Sequence, residues 1–283
     1  MELREKISTF FKGVLMGIAQ TIPGVSGGTI AFITGIYEKL IYSIDSIDLK
    51  IPVYLLKGDL EKTRESIRDI SYDFFVPLGI GIVLSMFTVA NFMSYAISEW
   101  KGPTFSFFFG LIIASAFKIM FSMSKTGPKQ LFMGLTGFLI AFFVSGYSSS
   151  INLVGMPFLF LAGFIAVMAL ILPGVSGSLL MLIIGQYENV MNIISNFHSH
   201  LFELLVFVAG GAVSLFSLVK VLSYLLDEHE NITISVLTGL VFGSLRMPYI
   251  EIMQALHGGG SLTLKLGSSI AGVGLVFLLE NSY

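Results

Sequence analysis

Long apolar stretches occupy most of the chain, and they constrain its fold more than any other feature of the sequence. Eight of them follow one another, at 7–44, 74–98, 103–123, 129–148, 157–196, 201–226, 232–249 and 261–280. A helix needs about 20 apolar residues to cross a bilayer. Only 12% of the 283 residues are charged, whereas about 25% is usual in a soluble domain. The sequence therefore predicts an all-α, polytopic membrane protein with a single membrane domain over residues 1–283.

The rest of the composition excludes several classes of protein. The net charge of −2 offers no basic excess for binding nucleic acid. The sequence has no cysteine, which excludes disulfides, thiolate metal sites and cysteine nucleophiles. No cleavage site of small residues follows a short apolar core, so we expect no removable signal peptide. We expect neither a cofactor nor a metal, and a homodimer is left open.

The sequence contains an internal repeat. The segment Pro-Gly-Val-Ser-Gly occurs at 23–27 and again, 150 residues later, at 173–177. Each copy interrupts one of the two longest apolar stretches. Internal repeats of this kind build many transporters, so we predict two units, 1–148 and 149–283. At a spacing of about 130, further matches are Asp73 with Glu203, Gly81 with Gly211, and Gly110-Leu111 with Gly239-Leu240.

The basic residues predict how the two units are oriented. Lysine and arginine concentrate on the cytoplasmic side of a membrane protein. Arg4 and Lys6 precede the first interrupted stretch, and the polar segment 45–73 follows it. A hairpin that enters and leaves on one face keeps both groups cytoplasmic. Three spans follow, an odd number, so the second unit is inverted. We predict two inverted repeats, each of one re-entrant helical hairpin plus three transmembrane helices. Eight full spans in parallel repeats fit the charges less well.

Each Pro-Gly-Val-Ser-Gly segment breaks a helix, and a second half-helix begins after it. Free N–H groups and the positive end of the dipole make a helix start suitable for an anion. Glycine allows an anion to approach the backbone closely, and a serine hydroxyl adds a hydrogen-bond donor. Paired broken helices mark substrate sites in transporters, although a tight helix–helix contact would need the same residues. The candidate phosphate-binding residues are Gly24, Ser26, Gly27, Gly28 and Thr29 in the first segment and Gly174, Ser176, Gly177 and Ser178 in the second.

Charged residues inside or at the ends of the apolar stretches are further candidates, because charges in a bilayer are costly and usually functional. Lys118 and Arg246 lie at nearly equivalent places, where each could pair with a phosphate or extend to the interface as an anchor. Lys220 and Lys265 have no repeat partner and look like interface residues. The repeat-matched acids, which could bind protons, pair with the bases or cap helices, are Glu38, Glu188, Asp73 and Glu203.

Enzymes offer an alternative interpretation of the same motif. Gly24–Gly28 fits the Gly-x-Ser-x-Gly nucleophile elbow, but that elbow requires a strand and a surrounding sheet. Gly-x-Ser-Gly also resembles the motif of rhomboid intramembrane proteases, which need a histidine base. All four histidines fall in predicted loops or span ends, away from Ser26 and Ser176. No Gly-Lys-Ser/Thr completes a P-loop. We predict no enzyme, with an intramembrane serine hydrolase using Ser26 or Ser176 as the alternative.

The paired motifs resemble a known family. Residues 23–29 and 172–178, each followed by Gly-x-Tyr-Glu, are similar to the bacterial polyprenyl-phosphate transporters known as PopT. The resemblance covers essentially the whole chain and includes Lys12 before the first motif. It implies a flippase that returns undecaprenyl phosphate from the outer to the inner leaflet of the bacterial cytoplasmic membrane, for reuse in envelope polymer synthesis. We expect ion or proton coupling. A secondary transporter of a small soluble anion would use the same half-helix sites.

Overall fold

The regular structure is helical throughout the residues that the computed structural model describes, which are 2–20, 25–123, 127–147, 153–257 and 261–280. This confirms the predicted class. In chain order the helices are α1 (Leu3–Gln20), α2 (Gly27–Ile33), α3 (Tyr37–Asp45), α4 (Ile51–Leu56), α5 (Leu60–Arg68), α6 (Tyr72–Glu99), α7 (Lys101–Ser122), α8 (Pro128–Ser145), α9 (Met156–Ile171), α10 (Gly177–Ile183), α11 (Tyr187–Ser195), α12 (Leu201–Ser244), α13 (Arg246–His257) and α14 (Leu262–Glu280).

Several helices are long and apolar enough to cross a membrane. In the described residues these are four segments, Tyr72–Val89, Lys101–Phe121, Pro128–Ser145 and Leu201–His257. Large apolar side chains on these segments, such as Phe87 and Leu131, are mostly exposed. Lipid covers such a surface more favourably than water does. The chain is therefore a membrane protein, as its composition predicts.

The two interrupted apolar stretches each form three short helices. Stretch 7–44 becomes α1, α2 and α3, and stretch 157–196 becomes α9, α10 and α11. The polar segment 45–73 holds α4 and α5, which pack on each other. The most deeply buried large side chains come from α3, α6, α7 and α12, and include Ile41, Phe74, Phe105, Ile112 and Val241. The core thus lies where the first interrupted stretch meets α6, α7 and α12.

Helix α12 consists of two limbs that meet at a bend. His229 has non-helical backbone angles (φ −139°, ψ 37°), and the Thr233 hydroxyl donates across the bend to the carbonyl of Leu225 at 2.8 Å. The junction between α6 and α7 has the same local structure. There Trp100 (φ −126°, ψ 37°) separates the helices, and Thr104 donates to Ala96 at 3.0 Å. The bend accounts for the separate apolar stretches 201–226 and 232–249.

Helices α1 and α6 lie side by side and run parallel. Lys6 forms an ion pair with Asp73 at 2.5 Å, near the start of both helices. Further along, a Cβ atom on Gly13 would overlap the backbone of Leu78, and one on Gly17 would overlap Ser85. Small residues at these positions let the two backbones approach closely. Between the two helices the chain therefore returns to the end of α1 that holds Leu3, and α6 begins beside that end.

The same contact occurs between α9 and the first limb of α12. A Cβ on Gly163 would meet the backbone of Phe207, and a Cβ on Gly210 would meet that of Phe160. Gly13 and Phe10 occupy the corresponding places in α1, where Phe10 faces Gly81. These two helices also run parallel, because Gly163 meets Phe207, whereas Val167, further along α9, meets Gly211, further along α12.

Two further helix pairs join the halves of the chain. Helix α7 packs on α14 in parallel: Ser269 donates to the carbonyl of Ser106 at 3.0 Å, and Gly272 faces Phe107. Helix α8 packs in parallel on the second limb of α12, where Gly134 faces Ser235 and, further along both helices, Ala141 faces Gly243. Each of these two pairs therefore consists of one helix from the first half of the chain and one from the second half.

These contacts correct the alignment of the repeat. Gly81 corresponds to Gly210 rather than to Gly211, since both contact equivalent phenylalanines of α1 and α9. The spacing from α6 onward is thus 129, as the starts of α6 at Tyr72 and α12 at Leu201 also indicate. Asp73 is consequently one position out of register with Glu203.

Candidate functional site

The two broken segments contact the opposite half of the chain. Ser26 caps α2 by accepting a bond from the N–H of Gly28 at 3.2 Å, and its hydroxyl donates to the carbonyl of Ala169 at 3.1 Å. The Thr29 hydroxyl accepts a bond from the N–H of Gly174 at 2.8 Å. The first segment is thereby bonded directly to the second. Gly24 lies outside the described residues.

Glycines make this close contact possible. A Cβ on Gly28 would lie 2.6 Å from the carbonyl oxygen of Ile171. Gly174 has a φ of +77°, and a Cβ there would overlap the carbonyl of Leu240. A side chain at Gly174 would therefore introduce both backbone strain and a collision.

The two segments differ in how accessible their hydroxyls are. Ser26 is 5% and Thr29 is 1% exposed, with Gly27 and Gly28 also buried. Ser176 caps α10 by accepting from the N–H of Leu179 at 3.5 Å, lies 3.1 Å from the Ser178 hydroxyl, and is half-buried, as is Gly177. In this conformation the first segment makes the tight helix contact, and the second is more open to a ligand.

A large cavity opens beside the first segment. It has a volume of about 1350 Å³ and is lined by α1, α2, the second half of α6, α7 and α14. Arg4, Ser8 and Lys12 line it at four-residue spacing, so they share one face of α1. Lys118 lines it from α7. Two of the predicted basic residues, Lys12 and Lys118, thus share one cavity.

Most of the cavity wall is apolar. From α6 and α7 it includes Phe92, Met93, Trp100, Phe107 and Leu111. Basic side chains and an extensive apolar wall in one cavity suit an amphiphile with an anionic head. The volume also exceeds the roughly 300–1,000 Å³ of pockets for drug-sized ligands. Arg4 and these aromatic residues are site residues that were not predicted from the sequence, although the spacing of Arg4, Ser8 and Lys12 could have indicated the polar face.

Arg246 has different surroundings. Its Nη1 donates to the carbonyl of Phe142 at 2.7 Å, and its guanidinium lies 4.4 Å from the centre of the Phe142 ring. The last carbonyls of a helix have no hydrogen-bond partner within the helix. Arg246 donates a hydrogen bond to one of these carbonyls in α8. Arg246 therefore stabilises the end of α8, and it is not among the residues that line the cavity with Lys118.

The four candidate acids share one feature: each lies in the first turn of a helix. A carboxylate there interacts favourably with the helix dipole. Asp73 is also paired with Lys6, and Glu203 lies 3.4 Å from His200. Glu38 lines a smaller chamber next to the large cavity. Their helices are α3 for Glu38, α6 for Asp73, α11 for Glu188 and α12 for Glu203.

The interpretation of Lys265 as an interface residue is wrong. Lys265 is 3% exposed, and a Cβ on Gly102 would overlap its side chain. The absence of a side chain at Gly102 leaves room for this lysine between α7 and α14. Lys220, by contrast, is exposed.

The surroundings of the serines do not fit a hydrolase. Ser26 is bonded to backbone groups and Ser176 to Ser178 and a backbone N–H. In the part of the chain that the structure describes, neither has a histidine partner, and no group of three or more acidic or histidine side chains could hold a metal. The histidines are His198 against Phe197, His200 beside Glu203, His229 at the α12 bend and His257 against Met253.

Comparison with known proteins agrees with this geometry. A family model described as VCA0040-like, undecaprenyl phosphate translocase-like, matches residues 16–258. A polyprenyl-phosphate transporter of Vibrio cholerae is 35% identical over 245 residues, 84% of this chain and 76% of that protein. A polyprenyl-phosphate transporter of Staphylococcus aureus is 32% identical over 252 residues, 83% of each chain. No solved structure is significantly similar. The chain belongs to the undecaprenyl phosphate translocase-like family.

Proposed function

We propose that this protein is a transporter, not an enzyme, that moves polyprenyl phosphate from the outer to the inner leaflet of the bacterial cytoplasmic membrane. The large cavity is the observation that carries the proposal, because it combines basic side chains with an apolar wall. The names of the relatives support polyprenyl phosphate as the substrate. A phosphate head cannot cross hydrocarbon unaided, whereas a polyprenyl tail can stay in it.

The phosphate is held by Lys12 and Lys118 in this conformation, with Arg4 close by on the same face of α1. Charge-assisted bonds to phosphate are stronger than neutral ones. The apolar wall that includes Phe92 and Phe107 accommodates the first part of the tail. The second broken segment, with Gly174, Ser176, Gly177 and Ser178, supplies further donors when the substrate moves deeper. The first segment, from Gly24 to Thr29, contributes once its contact with α9 opens.

The chain is arranged as two inverted units, 1–148 and 149–283. Support comes from the helix pairs that join the halves, since α7 runs parallel to α14. Helix α7 is the second span of its unit and α14 is the third of the other. Consecutive spans alternate in direction, so these two can be parallel only if one unit is inverted. The pair formed by α8 and the second limb of α12 leads to the same arrangement.

The interrupted stretches form re-entrant hairpins. The ion pair between Lys6 and Asp73 supports this, because it places the start of α6 beside the start of α1. The segment 45–73 then lies on the cytoplasmic side with the N-terminus. Transport proceeds as the two units rock against each other and expose the site to each leaflet in turn. Arg246 takes over the phosphate in the alternate state, and an ion or proton gradient provides the driving force.

Vesicles provide the decisive test. Purified protein is reconstituted with labelled undecaprenyl phosphate in the outer leaflet, and loss of label from that leaflet is followed. The proposal predicts loss that is faster than in protein-free vesicles and unaffected by an excess of inorganic phosphate. No acceleration would contradict lipid transport, and inhibition by inorganic phosphate together with its uptake would favour a transporter of soluble anions.

A further inference from the structure

A second, smaller chamber adjoins the large cavity. It has a volume of about 360 Å³ and shares the lining residues Phe32, Gly35 and Ile119 with that cavity. Its polar wall is formed by Glu38 from α3 and by Glu230 and Asn231 from the second limb of α12. Two carboxyl groups from different helices therefore line one partly open space next to the substrate cavity.

The helices that carry these two carboxyl groups are held together by a neighbouring contact. Tyr42, one turn after Glu38, donates a hydrogen bond to Asp227 at 2.7 Å. Asp227 lies at the end of the first limb of α12, and Glu230 follows the bend at His229 on the second limb. The bond between Tyr42 and Asp227 thus holds α3 beside the α12 bend, next to the chamber that Glu38 and Glu230 line.

An independent feature of the chamber is an unpaired buried hydroxyl. Tyr37 lines the chamber and is 2% exposed, and its hydroxyl has no hydrogen-bond partner among the described residues. A buried polar group without a partner costs free energy, so its presence in a wall that also holds two carboxyl groups points to an exchangeable polar ligand. In the described residues no group of His, Asp and Glu side chains could hold a metal.

The charges around Glu38 favour a proton as that ligand. On α3 the neighbouring ionisable groups are Tyr37, Lys39 and Tyr42, and Lys39 is paired with Glu5 of α1 at 2.5 Å. Helix α2 carries none. Helix α12 supplies Asp227 and Glu230, α7 brings Lys118 to the neighbouring cavity, and α8 begins with exposed Lys129. Burial and the charge of Glu230 raise the pKa of the Glu38 carboxyl above its usual range.

We propose that Glu38 and Glu230 form a proton-binding site that couples α3 to the α12 bend. In the protonated state the O–H of one carboxyl group donates to the other carboxylate. When the proton leaves to solvent, two negative charges face each other and α3 is loosened from α12. Since α3 directly follows the first broken segment, proton release would help to open that segment. The coupling role rests on the proposed function, whereas the proton site itself does not.

The site can be tested without transport, by infrared difference spectroscopy of the purified full-length protein across a pH series. The wild-type protein should show a protonated-carboxyl band that persists above the pH at which an ordinary glutamate ionises. Glu38→Gln should lose this band. Glu230→Gln should shift its midpoint to lower pH, because a like charge that disfavours ionisation of Glu38 is gone. Glu65→Gln, a change on exposed helix α5, is the matched control and should behave as the wild type.

An unchanged band in Glu38→Gln, or an unshifted midpoint in Glu230→Gln, would overturn the proton site. In the vesicle assay, a pH difference across the membrane should alter the wild-type rate, and Glu38→Gln should lose this response. If Glu38→Gln responded to the pH difference as strongly as the wild type does, the coupling role would be overturned. If wild-type protein moved no lipid at all, the proposed function would fail while the infrared result still decided the site.

Discussion

Lys118 and Arg246 are both basic side chains near the ends of apolar helices, but their surroundings give them different roles. Lys118 lines the large cavity together with Lys12 and Arg4. Arg246 is stacked on Phe142 and bonded to its carbonyl. Under the proposed function, neutralising Lys118 weakens binding of an anion in the cavity, whereas neutralising Arg246 also removes a stabilising contact at the end of α8. For this reason Lys118 gives the cleaner test of phosphate binding.

Lys118→Gln should slow transport of labelled undecaprenyl phosphate by about tenfold or more, because it removes a charge-assisted bond to the phosphate. Lys220→Gln is the matched control, since Lys220 is exposed and does not line the cavity. Initial rates in vesicles that contain equal amounts of inserted protein provide the measurement. Equal rates for the two variants would leave the helix starts as the anion site.

Gly174 tests how closely the second broken segment packs on α12. Gly174→Ala should lower the free energy of unfolding by about 1–3 kcal/mol, through left-handed backbone strain and overlap with the carbonyl of Leu240. Gly58→Ala serves as the control, because Gly58 has a similar φ of +71° with open space around it. Thermal unfolding in detergent measures both. A loss no larger than that of Gly58→Ala would contradict the close approach to Leu240.

At the scale of elements, the bend of α12 and the junction of α6 with α7 are equivalent hinges. In each, a threonine hydroxyl bonds a carbonyl eight residues earlier, across one residue of non-helical backbone. This bond ties together two limbs that could otherwise change their angle. Both hinges lie beside a cavity, since Thr104 lines the large cavity and Glu230 and Asn231 beside the bend line the smaller chamber.

Thr233→Val should loosen the α12 bend and lower the free energy of unfolding by about 0.5–1.5 kcal/mol, the usual contribution of one hydrogen bond. Hydrogen exchange at residues 225–235 should become faster. Thr136→Val is the control, because the Thr136 hydroxyl bonds only within its own helix, to Phe132 at 3.0 Å. If exchange near the bend were the same in both variants, the threonine would not hold the hinge.

At the scale of the whole molecule, the helix pairs α1 with α6 and α9 with α12 use the same small-residue contacts, and α7 with α14 and α8 with α12 link the halves. Every pair is parallel. This pattern supports the proposed inverted units, in which the large cavity belongs to one of two alternating states. A homodimer stays a prediction, as do the roles of Glu188, Asp73 and Glu203 in coupling.

The orientation can be measured with single cysteines, which are easily introduced because the native sequence has none. A cysteine at Lys6 and one at Lys57 should both be protected from an impermeant thiol reagent added to intact cells, because the first hairpin keeps both ends cytoplasmic. A cysteine at Val154, between the units, should react. Reaction at position 57 but not at position 6 would instead favour a first stretch that spans the membrane, and parallel repeats.

The sequence by itself determined the membrane class, the helical fold, the internal repeat and the family, because these follow from apolar length, periodicity and motif identity along the chain. It also identified Lys12 and Lys118 as candidate phosphate-binding residues. Only the tertiary structure showed that Lys118 and Arg246 have different surroundings and that Lys265 is buried beside Gly102. It also showed that Glu38 and Glu230 line the same chamber. These outcomes depend on which helices pack together and in what direction, and residues that are 128 to 192 positions apart carry no local signal of that contact.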